Sequence, residues 1–183
     1  GQLGKGEWGA GSGPGTMQTR PVKVLDGART VACGGSHAAA IKTDGSLWMW
    51  GALGSGGSVN DCQSVPVKVM DNVAAVSCGG SHAAAIKTDG SLWTFGNNTL
   101  GQLGDGTLVN KTTPVKILDN VRAVSCGSDF TAAVRADNSL WIWGSNEFSR
   151  LGNGGVSNAR VSLDGLQIPV QTTPVKILDN GAG

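Results

Sequence analysis

Apolar residues in this chain fall into short runs that polar turn residues separate. Residues 66–95 show the pattern: a run rich in β-branched residues (PVKVM), an alternating run (VAAVSC), a run of small residues (HAAAIK) and a run of large ones (SLWTF). Short apolar runs are typical of β-strands, and no segment keeps a helical period over three turns. The pattern predicts four short strands in this stretch and no helix.

This group of runs occurs three times with nearly the same wording. The long copies lie at 31–51, 76–96 and 124–144. A shorter echo around a proline lies at 20–27, 65–72, 113–120 and 173–180. The matched prolines are separated by roughly 45 to 60 residues, a period typical of propellers and solenoids. Four antiparallel strands joined by tight turns make one propeller blade, so we predict an all-β chain folded as a β-propeller.

The turns between the third and fourth strands carry the hairpin signal. Asp44-Gly45 and Asp89-Gly90 separate apolar runs in the first two copies, and Asp137-Asn138 takes their place in the third. An Asp-Gly pair between apolar runs predicts a type I′ turn, which needs positive φ at both central residues. The paired glycines that follow Cys33 and Cys78 predict a close approach of backbone to backbone.

Residues at equal places in the copies are predicted to be structural. The cysteines are interpreted as small buried hydrophobic residues, poorly placed for a disulfide. The histidines are expected to bond a turn backbone, because Phe130 replaces them in the third copy and zinc needs more ligands than one copy offers. Two aromatic positions in each copy are predicted to fill the widening gap between blades: Trp48, Trp93 and Trp141, and two residues later Trp50, Phe95 and Trp143. The structural positions are Cys33, Cys78, Cys126, His37, His82, Trp48, Trp93, Trp141, Gly45 and Gly90.

Composition narrows the classes of function. The 183 residues carry 14 basic and 13 acidic side chains, for a net charge of +1, so no electrostatic footprint for nucleic acid is visible. No apolar stretch is long enough to span a bilayer. No serine or cysteine lies in a nucleophile motif with a matched base. We therefore expect no catalytic residue, no metal and no cofactor.

The unit at 79–107 resembles the repeat of the regulator-of-chromosome-condensation family. The resemblance rests on G-x-x-H before an alanine-rich strand, D-G-x-L-W, the Trp/Phe-Gly ending and N-x-x-G-Q-L-G-x-G. It implies a seven-bladed propeller, of which this chain supplies about three blades plus an extra strand. The family's roles imply either protein binding, as in secreted or surface-exposed bacterial modules, or nucleotide exchange on a small GTPase with chromatin docking. The wording resembles the bacterial arrays, which favours an extracellular or cell-surface location.

The copies predict a division of the chain into repeats. Its parts are a glycine-rich inter-repeat loop at 1–20, repeat 1 at 21–65, repeat 2 at 66–113, repeat 3 at 114–173 with a long loop insertion at 145–173, and the first strand of a further repeat at 174–183. An open arc of three blades would leave two apolar faces in water. We expect either further repeats or self-association of two chains to cover them.

The long loop at 145–173 is the candidate binding site. It departs from the copied core and mixes aromatic, arginine and aliphatic residues, which are enriched in interface hot spots. Its candidate residues are Glu147, Phe148, Arg150, Arg160, Leu163 and Leu166. The first hypothesis is a non-enzymatic protein-interaction module with an unknown protein partner. The alternatives are a loop that folds back on the blade edge, a guanine-nucleotide exchange factor, and a propeller enzyme.

Overall fold

Three antiparallel sheets follow one another along the chain. The computed structural model describes residues 2–4, 20–52 and 62–178. The first sheet contains β1 (Ala28–Cys33), β2 (His37–Lys42), β3 (Leu47–Ala52) and β4 (Cys62–Met70). The second contains β5 (Val73–Cys78), β6 (His82–Lys87), β7 (Leu92–Gly96) and β8 (Lys111–Leu118). The third contains β9 (Val121–Cys126), β10 (Phe130–Arg135), β11 (Leu140–Ser145), β12 (Ala159–Leu163) and β13 (Leu166–Leu178).

These sheets confirm the all-β propeller prediction. Within the described ranges the only helical element is one 3-10 turn, Glu147–Ser149. Sheet contacts join β1 to β5 and β5 to β9, so these strands form the inner edges at which the blades converge. The outer edges are β4, β8 and the paired strands β13 and β12.

Each sheet takes its outer strand from the next copy of the proline echo. β8 pairs with β7, with Trp93 opposite Lys116, although the echo that forms β8 opens the following sequence unit. β13 pairs with β11 in the same way, with Trp141 opposite Lys176. One sequence unit therefore does not make one blade. The strand that includes residues 174–178 pairs with β11 in the third sheet.

The second half of the segment at 145–173 forms a hairpin, and its first half is a loop. β12 pairs with β13, with Leu163 opposite Leu166, and adds a fifth strand to the third sheet. The connecting residues Asp164 and Gly165 both have positive φ, 48° and 82°. This is the type I′ pattern of a two-residue hairpin.

The repeated Asp-Gly turns have a different geometry from the one predicted. Gly45 has a φ of 81°, but Asp44 is not among the positive-φ residues, and Gly45 N–H donates to the Lys42 carbonyl at 3.0 Å. This pattern is that of a type I turn followed by a left-handed residue. The Asp44 carboxylate accepts from Ser46 Oγ at 2.6 Å and from Ser46 N–H at 2.9 Å, and these bonds hold the pKa of Asp44 below its usual range. Local satisfaction of the carboxylate explains why aspartate recurs here.

Glycine and alanine allow neighbouring sheets to approach closely at the inner edge. Gly35 N–H donates to the Gly79 carbonyl, and Gly80 N–H to the Ser128 carbonyl, both at 3.0 Å. A Cβ added at Gly34 would lie 2.4 Å from the Gly79 carbonyl oxygen. The expected close approach of backbone to backbone is therefore confirmed, and it occurs between blades.

Two apolar clusters fill the space between the sheets. The first cluster contains Ala39, Ile41, Leu47, Met49, Val73, Ala83, Ala85 and Phe95. The second contains Ala84, Ile86, Leu92, Val121, Ala133 and Trp143. Each cluster joins the face of one sheet that looks toward the next sheet, here called its downstream face, to the upstream face of that next sheet. Most of the core therefore lies between sheets, as expected for a propeller.

The aromatic residues that were predicted to fill these gaps divide into two sets. Phe95 and Trp143 lie in the clusters, whereas Trp48, Trp93 and Trp141 are only half-buried. Each of these three indoles donates from Nε1 to the serine two residues earlier at 2.9 Å. Each also has a cation over its ring: Lys42, Lys87 and Arg135, respectively. Their amphipathic rings thus cover the sheet margin, where a cation–π contact and a polar partner are both available.

The upstream face of the first sheet is partly open. Val31 is 65% exposed and Cys33 is exposed, whereas their counterparts in the second and third sheets are half-buried. The prediction of a buried cysteine is therefore wrong for Cys33, because no sheet covers it among the described residues. Burial raises the pKa of Cys78 to about 12 and that of Cys126 to about 11, so both stay thiols at neutral pH.

Gly80 is required because it faces the next sheet. A Cβ at Gly80 would lie 2.9 Å from the Ser128 carbonyl oxygen, whereas Ser128, which has the same position in the third sheet, is exposed. We predict that Gly80→Ser lowers the free energy of unfolding by about 1–3 kcal/mol through overpacking. The matched change Ser128→Gly should cost about 1 kcal/mol or less. Urea denaturation measures both, and equal losses for the two variants would contradict this account.

Candidate binding site

A loop after β7 shows how one blade holds the next. In this docked loop, residues 98–109, the side chain of Asn98 is fully buried. Asn98 Oδ1 accepts from Leu103 N–H at 3.0 Å, and Asn98 Nδ2 donates to Asp105 Oδ1 at 2.9 Å and to the Thr107 carbonyl at 3.0 Å. One asparagine therefore satisfies several backbone groups and fixes the shape of the loop.

The docked loop presents a carbonyl and a bare glycine to an indole of the third sheet. The Gln102 carbonyl accepts from Trp143 Nε1 at 3.0 Å and from Thr131 Oγ1 at 2.8 Å. A Cβ added at Gly104 would lie 2.6 Å from Trp143 Nε1, and Gly104 has a φ of 77°. Position 104 therefore requires glycine for two reasons: a side chain would collide with the indole ring, and the backbone has a positive φ.

The N-terminal segment, residues 2–4, makes the same contact with the first sheet. The Gln2 carbonyl accepts from Trp50 Nε1 at 2.8 Å. A Cβ at Gly4 would lie 2.8 Å from Trp50 Cδ1, and Gly4 has a φ of 66°. Val24 and Leu25 pack against the cluster of Ala38, Ala40 and Trp50. The indole-on-glycine contact is thus used twice within this chain.

A third loop shares the hydrogen bonds centred on an asparagine, and among the described residues no indole lies on it. In this open loop, residues 146–157, Asn146 Oδ1 accepts from Leu151 N–H at 3.2 Å, and Asn146 Nδ2 donates to Asn153 Oδ1 at 3.1 Å and to Ser157 Oγ at 3.2 Å. Gly152 has a φ of 62°, as Gly104 requires, but a Cβ added there would meet nothing within 4 Å. The open loop therefore offers a glycine surface like the one that holds the indole in the docked loop, and no described residue covers that surface.

The predicted site residues form two groups. Glu147, Phe148 and Arg150 lie together on the open loop: Arg150 Nη2 is 3.1 Å from Glu147 Oε2, and the guanidinium lies 5.8 Å from the centroid of Phe148. Phe148 is 87% exposed. The other three residues lie on the β12–β13 hairpin, with Leu163 and Leu166 at its exposed tip: Arg160, Leu163 and Leu166.

Sequence reasoning missed the residues that shape the open loop. The sequence has Ser149-Arg150-Leu151-Gly152 where the docked loop has Gly101-Gln102-Leu103-Gly104. The structure shows that Asn146, Leu151 and Gly152 preserve its fold, while Ser149 takes the left-handed conformation of Gly101 with a φ of 56°. The signal was present in the shared spacing of Asn and Leu-Gly.

Comparison with known sequences identifies the repeat. Two profiles described as Regulator of chromosome condensation (RCC1) repeat match the chain, one at residues 44–86 and 89–134, the other at 28–56, 73–102 and 121–150. The chain belongs to the regulator of chromosome condensation repeat family. No curated protein matches the sequence at a significant level.

Solved structures with the RCC1-repeat fold are similar to this chain. Human WBSCR16 has a TM-score of 0.67 at 22% identity over 84% of this chain and 40% of that chain. Yeast RCC1 (Prp20), solved bound to Kap60, has a TM-score of 0.71 at 20% identity over 90% of this chain and 41% of that chain. The chain thus spans about two fifths of the length of these two relatives. At such identities the likeness shows the fold.

The histidines of the RCC1 repeats lie against glycine instead of bonding a turn backbone. A Cβ at Gly79 would lie 2.3 Å from His82 Cε1, and one at Gly127 would lie 2.1 Å from Phe130 Cε1. The ring at this position packs on the glycine whether it is imidazole or phenyl. No group of three or more metal-binding side chains is found where the chain is described. The prediction that these histidines bond a turn backbone is therefore wrong.

A chain of hydrogen bonds fixes the protonation of His82. Thr131 Oγ1 donates to the Gln102 carbonyl, so its hydrogen is used, and His82 Nε2 must donate to Thr131 Oγ1 across 2.9 Å. His82 Nδ1 is buried and has no hydrogen-bond partner. Protonation there would bury an unpaired charge. Burial lowers the pKa of His82 to about 4, and nearby His37 adds to the shift.

His37 lacks even this partner. The position of Thr131 is occupied by Ala83 in the second sheet, which offers no hydroxyl group. Both ring nitrogens of His37 are buried without a hydrogen bond. Burial lowers the pKa of His37. The backbone of His82 raises this pKa, but its effect is the smaller of the two.

Acid should destabilise the fold through His82. The unfolded side chain binds a proton below its ordinary pKa of 6.5, while the folded one stays neutral down to about 4. The free energy of unfolding should therefore fall as pH falls across this window, by at most about 1.4 kcal/mol per pH unit for this group. His82→Phe, which copies the third sheet, should flatten the pH dependence measured by urea denaturation between pH 7 and 4.5. An unchanged slope in this variant would contradict the assignment.

No helix in the described ranges is long and apolar enough to cross a membrane.

Proposed function

We propose that this chain is a non-enzymatic protein-binding module and that the open loop is its binding surface. The observation that carries the proposal is the exposed Phe148 with the Arg150 guanidinium held against its ring. A loop already held by Asn146 loses little conformational entropy on binding, which favours affinity.

The chemistry beside Gly152 fits a protein partner. Phe148 is almost fully exposed, and Arg150 is held against it and against Glu147. Val156 on the same loop is also exposed. Aromatic and arginine side chains in a fixed arrangement are typical of interface hot spots, and clustered exposed apolar side chains mark interaction surfaces.

The repeated polar residues already have structural roles. The carboxylates of Asp44, Asp89 and Asp137 each accept two hydrogen bonds from the serine two residues later. This use of the carboxylates supports a binding role for the chain over a catalytic one. A nucleotide-exchange role rests on the family resemblance alone.

Replacing Phe148 and Arg150 by alanine should abolish partner capture. Loss of two hot-spot residues is expected to weaken binding by at least about 30-fold. The melting temperature should change little, because Phe148 is exposed and the Arg150 bonds to Glu147 lie within the open loop. Affinity capture on the immobilised chain identifies partners, and isothermal titration with each purified partner measures the loss.

Val109→Ala is the matched control. Val109 is 62% exposed on the docked loop, so its loss removes a comparable apolar side chain away from Gly152. Binding by this variant should equal that of the wild type. Equal binding by the Phe148/Arg150 double variant would refute the proposal, and a large fall in its melting temperature would show a structural role instead.

A further inference from the structure

The β12–β13 hairpin places an unpaired strand at the outer edge of the third sheet. β12 lies at the opposite end of the strand order from β9, and no described strand lies beyond it. Neighbouring sheets meet through their faces in the two apolar clusters, whereas an outer edge points away from those contacts. An unpaired edge presents backbone donors and acceptors that can take a further strand.

The register of the hairpin shows which backbone groups this edge offers. Leu163 and Leu166 flank the two-residue turn and form a hydrogen-bonded pair, and the pairs alternate from there. Ser162 and Arg160 therefore occupy non-hydrogen-bonded places, so their N–H and C=O groups point away from β13. Pro169, which has no N–H, stands opposite Arg160, as this alternation allows. The edge of β12 thus offers two donors and two acceptors.

The outer edges of the first two sheets carry features that β12 lacks. Pro66 lies in β4 and Pro114 in β8, and the pairing of each strand with its neighbour contains register shifts. Prolines and bulges are among the features that keep edge strands from pairing with other chains. β12 has the sequence ARVSL, without proline, and pairs with β13 in one continuous register. Its edge is therefore regular enough to accept another strand.

The hairpin has one apolar and one polar face. The register places the apolar side chains of both strands on one face: Ala159, Val161, Leu163, Leu166, Ile168 and Val170. Val170 at the base is fully buried, whereas Leu163 and Leu166 at the tip are 41% and 66% exposed. On the other face Arg160 is exposed, and none of the ion pairs in the described part of the chain involves it. An added strand would therefore meet apolar side chains on one face and a cation on the other.

Side-chain hydrogen bonds hold the hairpin at its base. Thr172 N–H donates to Asn158 Oδ1 at 2.9 Å, and Asn158 Nδ2 donates to Thr172 Oγ1 at 3.0 Å. Asn146 N–H donates to the Pro169 carbonyl at 2.8 Å, which joins the hairpin to the open loop. β12 is therefore positioned before a ligand arrives, and binding costs little ordering of this chain.

We propose that β12 binds an extended peptide segment of another protein, which adds a sixth, antiparallel strand to the five-stranded third sheet. The peptide exchanges backbone hydrogen bonds with the outward N–H and C=O groups of Arg160 and Ser162. It carries an acidic residue opposite Arg160, whose charge it complements, and apolar residues opposite Val161 and Leu163. The backbone bonds supply affinity, and the alternating side chains supply specificity.

A labelled peptide tests this inference on the whole chain. The probe is fluorescein-labelled Thr-Val-Thr-Val-Glu-Val-Thr, which places its glutamate opposite Arg160 and its central threonine opposite Ser162 when it pairs antiparallel. Fluorescence anisotropy measures the dissociation constant. N-methylation of that threonine and the glutamate, whose N–H groups face β12, should weaken binding by at least about 30-fold. N-methylation of the first two valines, whose N–H groups face away, should change binding by less than about 3-fold.

Variants of the chain remove one feature of the edge at a time. Ser162→Pro removes an outward donor and leaves the bonds between β12 and β13 in place, so peptide binding should weaken by at least about 10-fold. Ser162→Ala keeps the N–H and is the matched control, which should bind like the wild type. Arg160→Glu should weaken binding of the glutamate probe by at least about 10-fold, and a probe with lysine in place of glutamate should regain it.

Four results would overturn the inference. They are no binding of the glutamate probe up to near-millimolar concentration, equal effects of the two N-methylated probes, unchanged binding by Ser162→Pro, and self-association of the wild type that Ser162→Pro abolishes. The last result, measured by sedimentation velocity, would assign the edge to a second copy. If Ser162→Pro lowers the melting temperature, the two N-methylated probes on the wild type decide. This site uses neither Phe148 nor Arg150, so its failure is distinguishable from failure of the proposed function.

Discussion

The close approach of one sheet to the next is the constraint on which the rest of this structure depends. Alanine on the second strand of each sheet and glycine at the inner turns bring the backbones into hydrogen-bonding distance, as Gly80 and Ser128 show. Because the sheets are this close, most of the buried apolar side chains pack between two neighbouring sheets. The aromatic residues Phe95 and Trp143 then fill the wider part of each gap.

The two histidines show how small differences between copies change the chemistry of one position. Both imidazoles pack on glycine, but only His82 finds a hydroxyl, because the following sheet carries Thr131 where the second sheet carries Ala83. The Gln102 carbonyl, which accepts from Thr131, also accepts a hydrogen bond from the Trp143 indole. Loop, histidine and indole are thereby joined in one buried polar network, in which the loss of any one bond leaves a further buried polar group without a partner.

Much of the fold could be predicted from the sequence because its signals are local and occur three times. Strand length, turn residues and the family motif all depend on residues close together in the chain. Which sheet the proline-containing strand joins could not be predicted in the same way, since a copy of that strand lies both before and after each long copy. The hairpin of β12 and β13 was missed although Asp164-Gly165 carries a turn signal, because the segment has no copy elsewhere.

The candidate site was predicted only in part for a related reason. Phe148 and Arg150 stood out by composition, and the structure brings them together with Glu147. The bare surface at Gly152 could not be predicted, because it depends on whether another sheet lies beside the loop. Sequence similarity between loops indicates a shared backbone shape but not what that shape contacts.

The strand that each sheet takes from the next sequence unit has a consequence for how the chain comes apart. A unit such as 66–113 contributes the outer strand of one sheet and the three inner strands of the following one. No sheet can therefore unfold without breaking backbone pairs with the neighbouring unit. Loss of one repeat should spread along the chain, and the array should unfold as a single cooperative body, whereas independent blades would give a series of separate steps.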